Sequence, residues 1–339
     1  MGWWSDLWKK RSSDWTYGPL SAKQVPDGLE HSVIGDESAY LSIFLRSMRV
    51  VYVRKGLKKF FGTVHSFVSL AHLNGDAEFH VVTTPARLKD IDAANVDRVI
   101  SMNHRLLGPI PYRGHDVEIE LGLFSIRSAD LAAPFLGVLE GMANAAGVTY
   151  INLALPFVAP LKEGINLLAG ADNDSILEIG VSRTLKQPET GYFAAVRAPK
   201  GTLDLSTLKV DSDYQLIDPN GNAVVDYPYL VYAVESSAVR ADWFKIPDIA
   251  AAYKAVRDAV RSGDLNRTNE AFTVFKRTTL TSADLLFADA KRVVDLVDKE
   301  VKQVLGTMQT SRRQLELPKL SKFKLYEDVE PPADEPADG

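Results

Sequence analysis

Residues 40–83 read YLSIFLRSMRVVYVRKGLKKFFGTVHSFVSLAHLNGDAEFHVVT, and this stretch decides the predicted architecture. Three runs rich in Val, Ile, Phe and Tyr are separated by RKGLKK at 54–59 and by LNGD at 73–76. An Asn-Gly pair between two such runs is typical of a β-hairpin turn. The stretch therefore predicts an antiparallel meander from Tyr40 to Thr83.

Further strand patterns follow the meander. Apolar residues alternate with glutamates along VEIELGL at 117–123, as in a half-buried strand. Strand-like runs return at 175–185, 191–198 and 229–240, and PNGN at 219–222 is a strong turn signal. We therefore expect a β-rich, sandwich-like domain over residues 38–245.

A change of composition within this domain predicts a helical insertion at about residues 129–170, where small and apolar residues dominate. Residues 141–161 carry no charge and are long enough to span a bilayer. Pro156 and Pro160 interrupt the stretch, which favours a buried core segment. A segment that is buried and later inserts into a membrane remains the alternative.

The C-terminal part has helical periodicity, which predicts a helical region over residues 246–306. PDIAAAYKAVRDAVRSG at 247–263 begins with Pro-Asp and ends at Gly, as helices do. The run from Thr281 to Gly306 has capping-box-like spacing between Thr281 and Asp284. Its apolar stripe comprises Leu286, Ala290, Val293, Val297, Val301 and Val304. The polar tail, 307–339, ends in an acidic segment that we expect to be disordered. The fold class expected for the chain is α+β.

The N-terminus, MGWWSDLWKKRSSDW, contains four of the five tryptophans. Residues 1–16 are interpreted as an amphipathic helix, and residues 17–37, rich in Gly and Pro, as a linker. The apolar arc of this helix holds Trp3, Trp4, Leu7 and Trp8, and the opposite side holds Lys9 and Lys10. Tryptophans backed by lysines suit a membrane interface with anionic lipid. Docking on the protein's own body or on a partner protein is the alternative.

A second candidate binding element is the predicted hairpin tip with Arg54, Lys55, Lys58 and Lys59. The basic side chains of such a tip could bind phosphate groups of lipid or nucleic acid. The alternative is a solvated, charged sheet edge whose basic residues prevent pairing with strands of other molecules. The formal net charge of −5 argues against nucleic acid as a partner of the whole chain.

Catalytic and metal motifs are missing from the sequence. There is no cysteine, no HExxH, no Gly-x-Ser-x-Gly and no phosphate-binding glycine motif. We therefore expect no metal and no cofactor. The predicted function is a non-enzymatic effector, adaptor or structural protein, with an intracellular conflict or defence system as a candidate setting. It would self-associate or bind a partner, in the cytoplasm or at the inner face of a membrane. The alternative is a hydrolase-type enzyme with a site built from scattered His, Asp and Glu residues.

Overall fold

The computed structural model describes most of the chain in segments: 15–49, 54–55, 58–59, 61–72, 75–83, 100–114, 116–126, 175–199 and 201–311. The chain divides into two compact units, Met1–Val239 and Arg240–Gly339. The predicted tryptophan helix up to residue 14, the helical insertion at 129–170 and the tail beyond residue 311 lie outside the described residues.

Thirteen strands are described in the first unit. In chain order they are β1 Trp15–Leu20, β2 Tyr40–Arg49, β3 Arg54–Lys55, β4 Lys58–Lys59, β5 Phe61–His72, β6 Gly75–Thr83, β7 Ile100–Pro111, β8 Val117–Ile126, β9 Ser175–Leu185, β10 Gly191–Arg197, β11 Lys209–Val210, β12 Leu216–Ile217 and β13 Tyr229–Ser237. They form a five-stranded antiparallel sheet, β1-β10-β13-β2-β7, and a four-stranded antiparallel sheet, β6-β5-β8-β9. Two short hairpins, β3-β4 and β11-β12, accompany them.

The predicted three-run meander is partly wrong. Its second and third runs pair as β5 and β6, with His72 opposite Gly75. Its first run, β2, instead lies between β13 and β7 in the other sheet. The reason is burial: Leu41, Ile43 and Leu45 of β2 are fully buried. Such a strand is most stable with a partner on both sides, and β13 is equally apolar.

The predicted helix, residues 1–16, is wrong at residues 15 and 16, and the predicted linker is wrong at its start, because residues 15–20 form strand β1. Leu20 is fully buried, and the Tyr17 ring stacks at 6.3 Å from that of Phe193 on β10. Pro19 is tolerated because β1 lies at an edge of the described sheet, where a missing N–H costs no ladder hydrogen bond. Gly18 and Pro19 therefore indicated a linker at positions where strand β1 forms.

The α+β prediction is confirmed, and the second unit is helical. Its helices are α1 Pro247–Ser262, α2 Leu265–Leu280 and α3 Phe287–Ser311. All six residues of the predicted stripe are buried, with Val293 and Val297 at 0 % exposure. The amphipathic pattern thus placed the core face of α3 correctly.

The predicted capping box at Thr281 and Asp284 does not form, since α3 begins at Phe287. Asp284 is instead buried beside Arg240, whose Nη1 lies 3.9 Å from Asp284 Oδ1. The carboxylate therefore pairs with a buried guanidinium rather than with the free N–H groups of a helix terminus.

Candidate functional site

The first candidate region is one end of the five-stranded sheet, which we call the Trp15 end. Here β1 begins at Trp15 and β10 ends at Arg197, and these two residues are register partners. The next neighbours are Tyr229, where β13 begins, and Arg49, where β2 ends, and these are also register partners. Three inter-strand spacings separate Trp15 from Arg49, a distance of about 14 Å.

The interior of the Trp15 end is firmly held. Arg49 is 5 % exposed, and its Nε donates to the carbonyl of Val225 at 3.0 Å. The buried Tyr229 hydroxyl accepts from the Leu216 amide at 3.1 Å, which fixes hairpin β11-β12 to the sheet. Burial raises the pKa of Tyr229, so the phenol stays protonated. These contacts make the Trp15 end a stable base for the segments attached to it.

Both predicted binding elements attach to this end of the sheet. Residues 1–14 lead directly into β1 at Trp15. The four residues of the predicted basic tip form a ladder of two residues on each side, β3-β4, which begins five residues after Arg49. Arg54 is the register partner of Lys59, and Lys55 of Lys58. The predicted contact residues Trp3, Trp4, Leu7, Trp8, Lys9 and Lys10 lie outside the described residues, and their role stays a prediction.

The second candidate region is a cluster around Arg46 that the sequence analysis did not single out. Leu45 and Ser47 of β2 pair with consecutive residues of β13, so Arg46 is the extra residue of a β-bulge. Opposite it on β7 lies Asn103, whose φ is +40°. Bulges re-aim side chains and are common beside functional sites. The sequence signal was an arginine inside a largely apolar run, YLSIFLRSM at 40–48.

Described residues contact the Arg46 guanidinium by hydrogen bonds and through three aromatic rings. Its Nη groups donate to Asn103 Oδ1 and Glu235 Oε1. Its Cζ lies 4.9 Å from the ring centroid of Phe44, with two tyrosine rings also close: Tyr192 at 5.3 Å and Tyr214 at 5.2 Å. Cation–π contacts of this kind stabilise a desolvated cation.

The Arg46 cluster joins β2, β7 and β13 and is closed by loop residues. The Tyr192 hydroxyl donates to Asp27 Oδ2 at 2.8 Å. Burial and this carboxylate raise the pKa of Tyr192, so the hydroxyl remains a donor. Both Nη groups of Arg46 are engaged by Asn103 and Glu235, whereas its buried Nε has no hydrogen-bond partner among the described residues. Because the guanidinium bridges residues of three strands, the arrangement suits strand alignment better than acid–base chemistry.

The hydrolase alternative depended on histidines near carboxylates. His31 Nδ1 lies 3.9 Å from Glu189, and His31 Nε2 is 2.9 Å from the carbonyl oxygen of Leu20. The imidazole packs edge-on to Phe193 at 5.4 Å and against Gly191, where a Cβ would clash with it. These contacts fix the imidazole as a packing group. No cluster of three or more metal-ligating side chains occurs within the described part of the chain.

Comparisons with known proteins add no relative. The chain matches no protein-family model, and neither the curated proteins nor the solved structures give a significant match. Within the described residues, no helix is long and apolar enough to cross a membrane.

Proposed function

We propose that this protein is a non-enzymatic adaptor or structural protein that docks through its tryptophan segment, residues 1–14, on a membrane surface or a partner protein. One observation carries the proposal: the segment ends at residue 14, and strand β1 begins at the next residue, Trp15. A docking contact made by this segment would therefore hold the whole first unit. A cytoplasmic protein anchored at the inner face of a membrane fits this arrangement.

The attachment supports anchoring because β1 is firmly bound in its sheet. All six residues of β1 are register partners of β10. The Tyr17 and Tyr232 hydroxyls are hydrogen-bonded at 2.6 Å, and the Arg183 guanidinium lies 4.7 Å from the Tyr17 ring centroid. Force transmitted to β1 at Trp15 would pass through these contacts into the sheet.

The test compares a double tryptophan variant with a control variant. Three quantities are measured for each: melting temperature, oligomeric mass and co-sedimentation with lipid vesicles. Trp4→Ala with Trp8→Ala should abolish association with vesicles or with a second copy, because each indole supplies apolar contact area. The melting temperature should stay unchanged, since β1 begins after the altered residues. Phe287→Ala is the matched control, because this aromatic residue is 71 % exposed in the second unit.

A lower melting temperature with association intact would refute the proposal. That result would show that the tryptophans pack on the protein's own body. Loss of association in the Phe287→Ala control would refute it as well, because any exposed aromatic residue would then produce the effect.

A further inference from the structure

We propose that the tryptophan segment and the basic hairpin, Arg54–Lys59, form one composite surface that binds an anionic lipid bilayer. This inference rests on the proposed function and names the partner. The observation behind it is the order of the five-stranded sheet, which brings the attachment points of both elements to the Trp15 end. In sequence they are separated by the linker region and all of β2.

The distances allow both elements to meet one surface. Trp15 and Arg49 lie about 14 Å apart across the sheet. The five-residue step from Arg49 to Arg54 reaches at most about 17 Å. If helical as predicted, the fourteen residues of the tryptophan segment would be about 21 Å long. Both lengths exceed the separation of the two attachment points, so the segment and the hairpin can reach the same bilayer patch without a change in the sheet.

The charge arrangement of the hairpin favours an anionic surface. Both register pairs of β3-β4 place two basic residues opposite one another, Arg54 with Lys59 and Lys55 with Lys58. Like charges directly opposite on paired strands are destabilising, and nearby anions relieve this repulsion. The chain as a whole carries a net charge of −5, so the rest of it is more acidic than the hairpin. A negative bilayer would therefore attract this end and repel the remainder, which orients the molecule.

A bilayer fits this pair of elements better than nucleic acid or an acidic protein. Tryptophan is enriched at membrane interfaces, where its amphipathic ring lies at headgroup depth. One element alone gives weak, reversible membrane binding, and stable anchoring takes two signals, such as an apolar element and a polybasic patch. The Trp15 end supplies one of each.

The first experiment measures vesicle binding by the full chain carrying Lys58→Gln and Lys59→Gln. The probes are phosphatidylcholine vesicles with and without phosphatidylserine. Removing two basic residues should weaken binding to the anionic vesicles about 30-fold, from about 1 kcal/mol per residue at an anionic surface. Binding to pure phosphatidylcholine should not change, and added salt should reduce the difference between the variant and the native chain.

The matched control removes two lysines from the second unit, Lys254→Gln with Lys302→Gln. Their side chains are 75 % and 74 % exposed, and each pairs with an aspartate one helical turn away. This control should bind anionic vesicles as the native chain does. The hairpin variant should unfold at the native temperature or slightly above, because its like-charge pairs are gone.

Combining the hairpin and tryptophan variants distinguishes failure of the proposed function from failure of this inference. If both elements bind one bilayer patch, the hairpin change should matter far less once Trp4 and Trp8 are alanine, since simultaneous contact is lost. Native vesicle binding by the tryptophan variant would refute membrane docking through the tryptophan segment and, with it, this inference. Loss of binding in the tryptophan variant, with native binding by the hairpin variant, would overturn this inference alone. Hairpin-dependent binding to duplex DNA without vesicle binding would overturn it too.

Discussion

Replacing Arg240 by Met should destabilise the second unit strongly. Arg240 is fully buried, its backbone N–H donates to Asp289 Oδ2 at 2.8 Å, and its Nε donates to Asp242 Oδ1 at 3.0 Å. Its Nη1 donates to the carbonyl oxygen of Asp284 at 3.2 Å. Asp284 and Asp289 are themselves only 6 % and 2 % exposed. Methionine retains the apolar stem but leaves the buried Asp284 carboxylate without this guanidinium and removes the Nε hydrogen bond to Asp242.

The expected cost follows from this burial. Breaking a buried pair by removing one partner costs about 3–5 kcal/mol. Asp289 retains a hydrogen bond from Arg292 Nε at 2.7 Å and the Arg240 amide, so the lower end, about 3 kcal/mol, applies. With an m-value of about 2 kcal/mol/M, the urea midpoint should fall by roughly 1.5 M.

The assay is urea unfolding at neutral pH, followed by the helical circular dichroism signal of α1, α2 and α3. Lys254→Met is the matched control, because Lys254 pairs with Asp258 at 2.8 Å but is 75 % exposed. Exposed pairs contribute about 0.5 kcal/mol or less, so this midpoint should hardly move. Equal midpoints for the two variants would refute the reasoning. Adding Asp284→Asn to Arg240→Met should restore part of the loss, since one unpaired charge is then removed.

Four further outcomes are expected. Val297→Asp should lower unfolding free energy by about 4 kcal/mol or more and Val297→Ala by about 2 kcal/mol, measured by urea unfolding, because the charge is buried unpaired at a fully buried position. Arg46→Lys should cost about 1–2 kcal/mol in the same assay, since an ammonium cannot keep the planar contacts with three rings and two acceptors. The Asn222 and Asn220 amides lower the pKa of Asp218 through hydrogen bonds. The folded state thus favours the ionised form, so this stabilisation is complete above about pH 4 and is lost as pH falls through the lower folded pKa; Asp218→Asn should flatten acid unfolding curves in this window. Deleting Glu327–Gly339 should leave the calorimetric transition unchanged, because so acidic a segment buries little apolar surface.

The sequence alone determined what depends on near neighbours. The stripe of α3 follows from the helical repeat, which puts every third or fourth residue on one face, and burial of all six positions confirms it. The hairpin β5-β6 likewise formed where the turn residues LNGD join two strand-like runs. In each case the interacting residues are close together in the chain, so the local sequence pattern is enough to predict the contact.

The tertiary structure decided which distant segments pair. No local pattern says that β2 lies between β13 and β7, or that residues 15–20, rich in turn formers, complete the sheet beside β10. The same holds for single charges: the sequence shows Arg46 only as an arginine within a largely apolar run, and a bulge directs it toward Asn103 and Glu235. Asp284 has the sequence spacing of a helix-capping residue, but in the structure its carboxylate lies 3.9 Å from Arg240 Nη1. Alternation along a strand specifies which face is buried but leaves its partner open, and that partner is chosen by the apolar surface that the whole domain must bury.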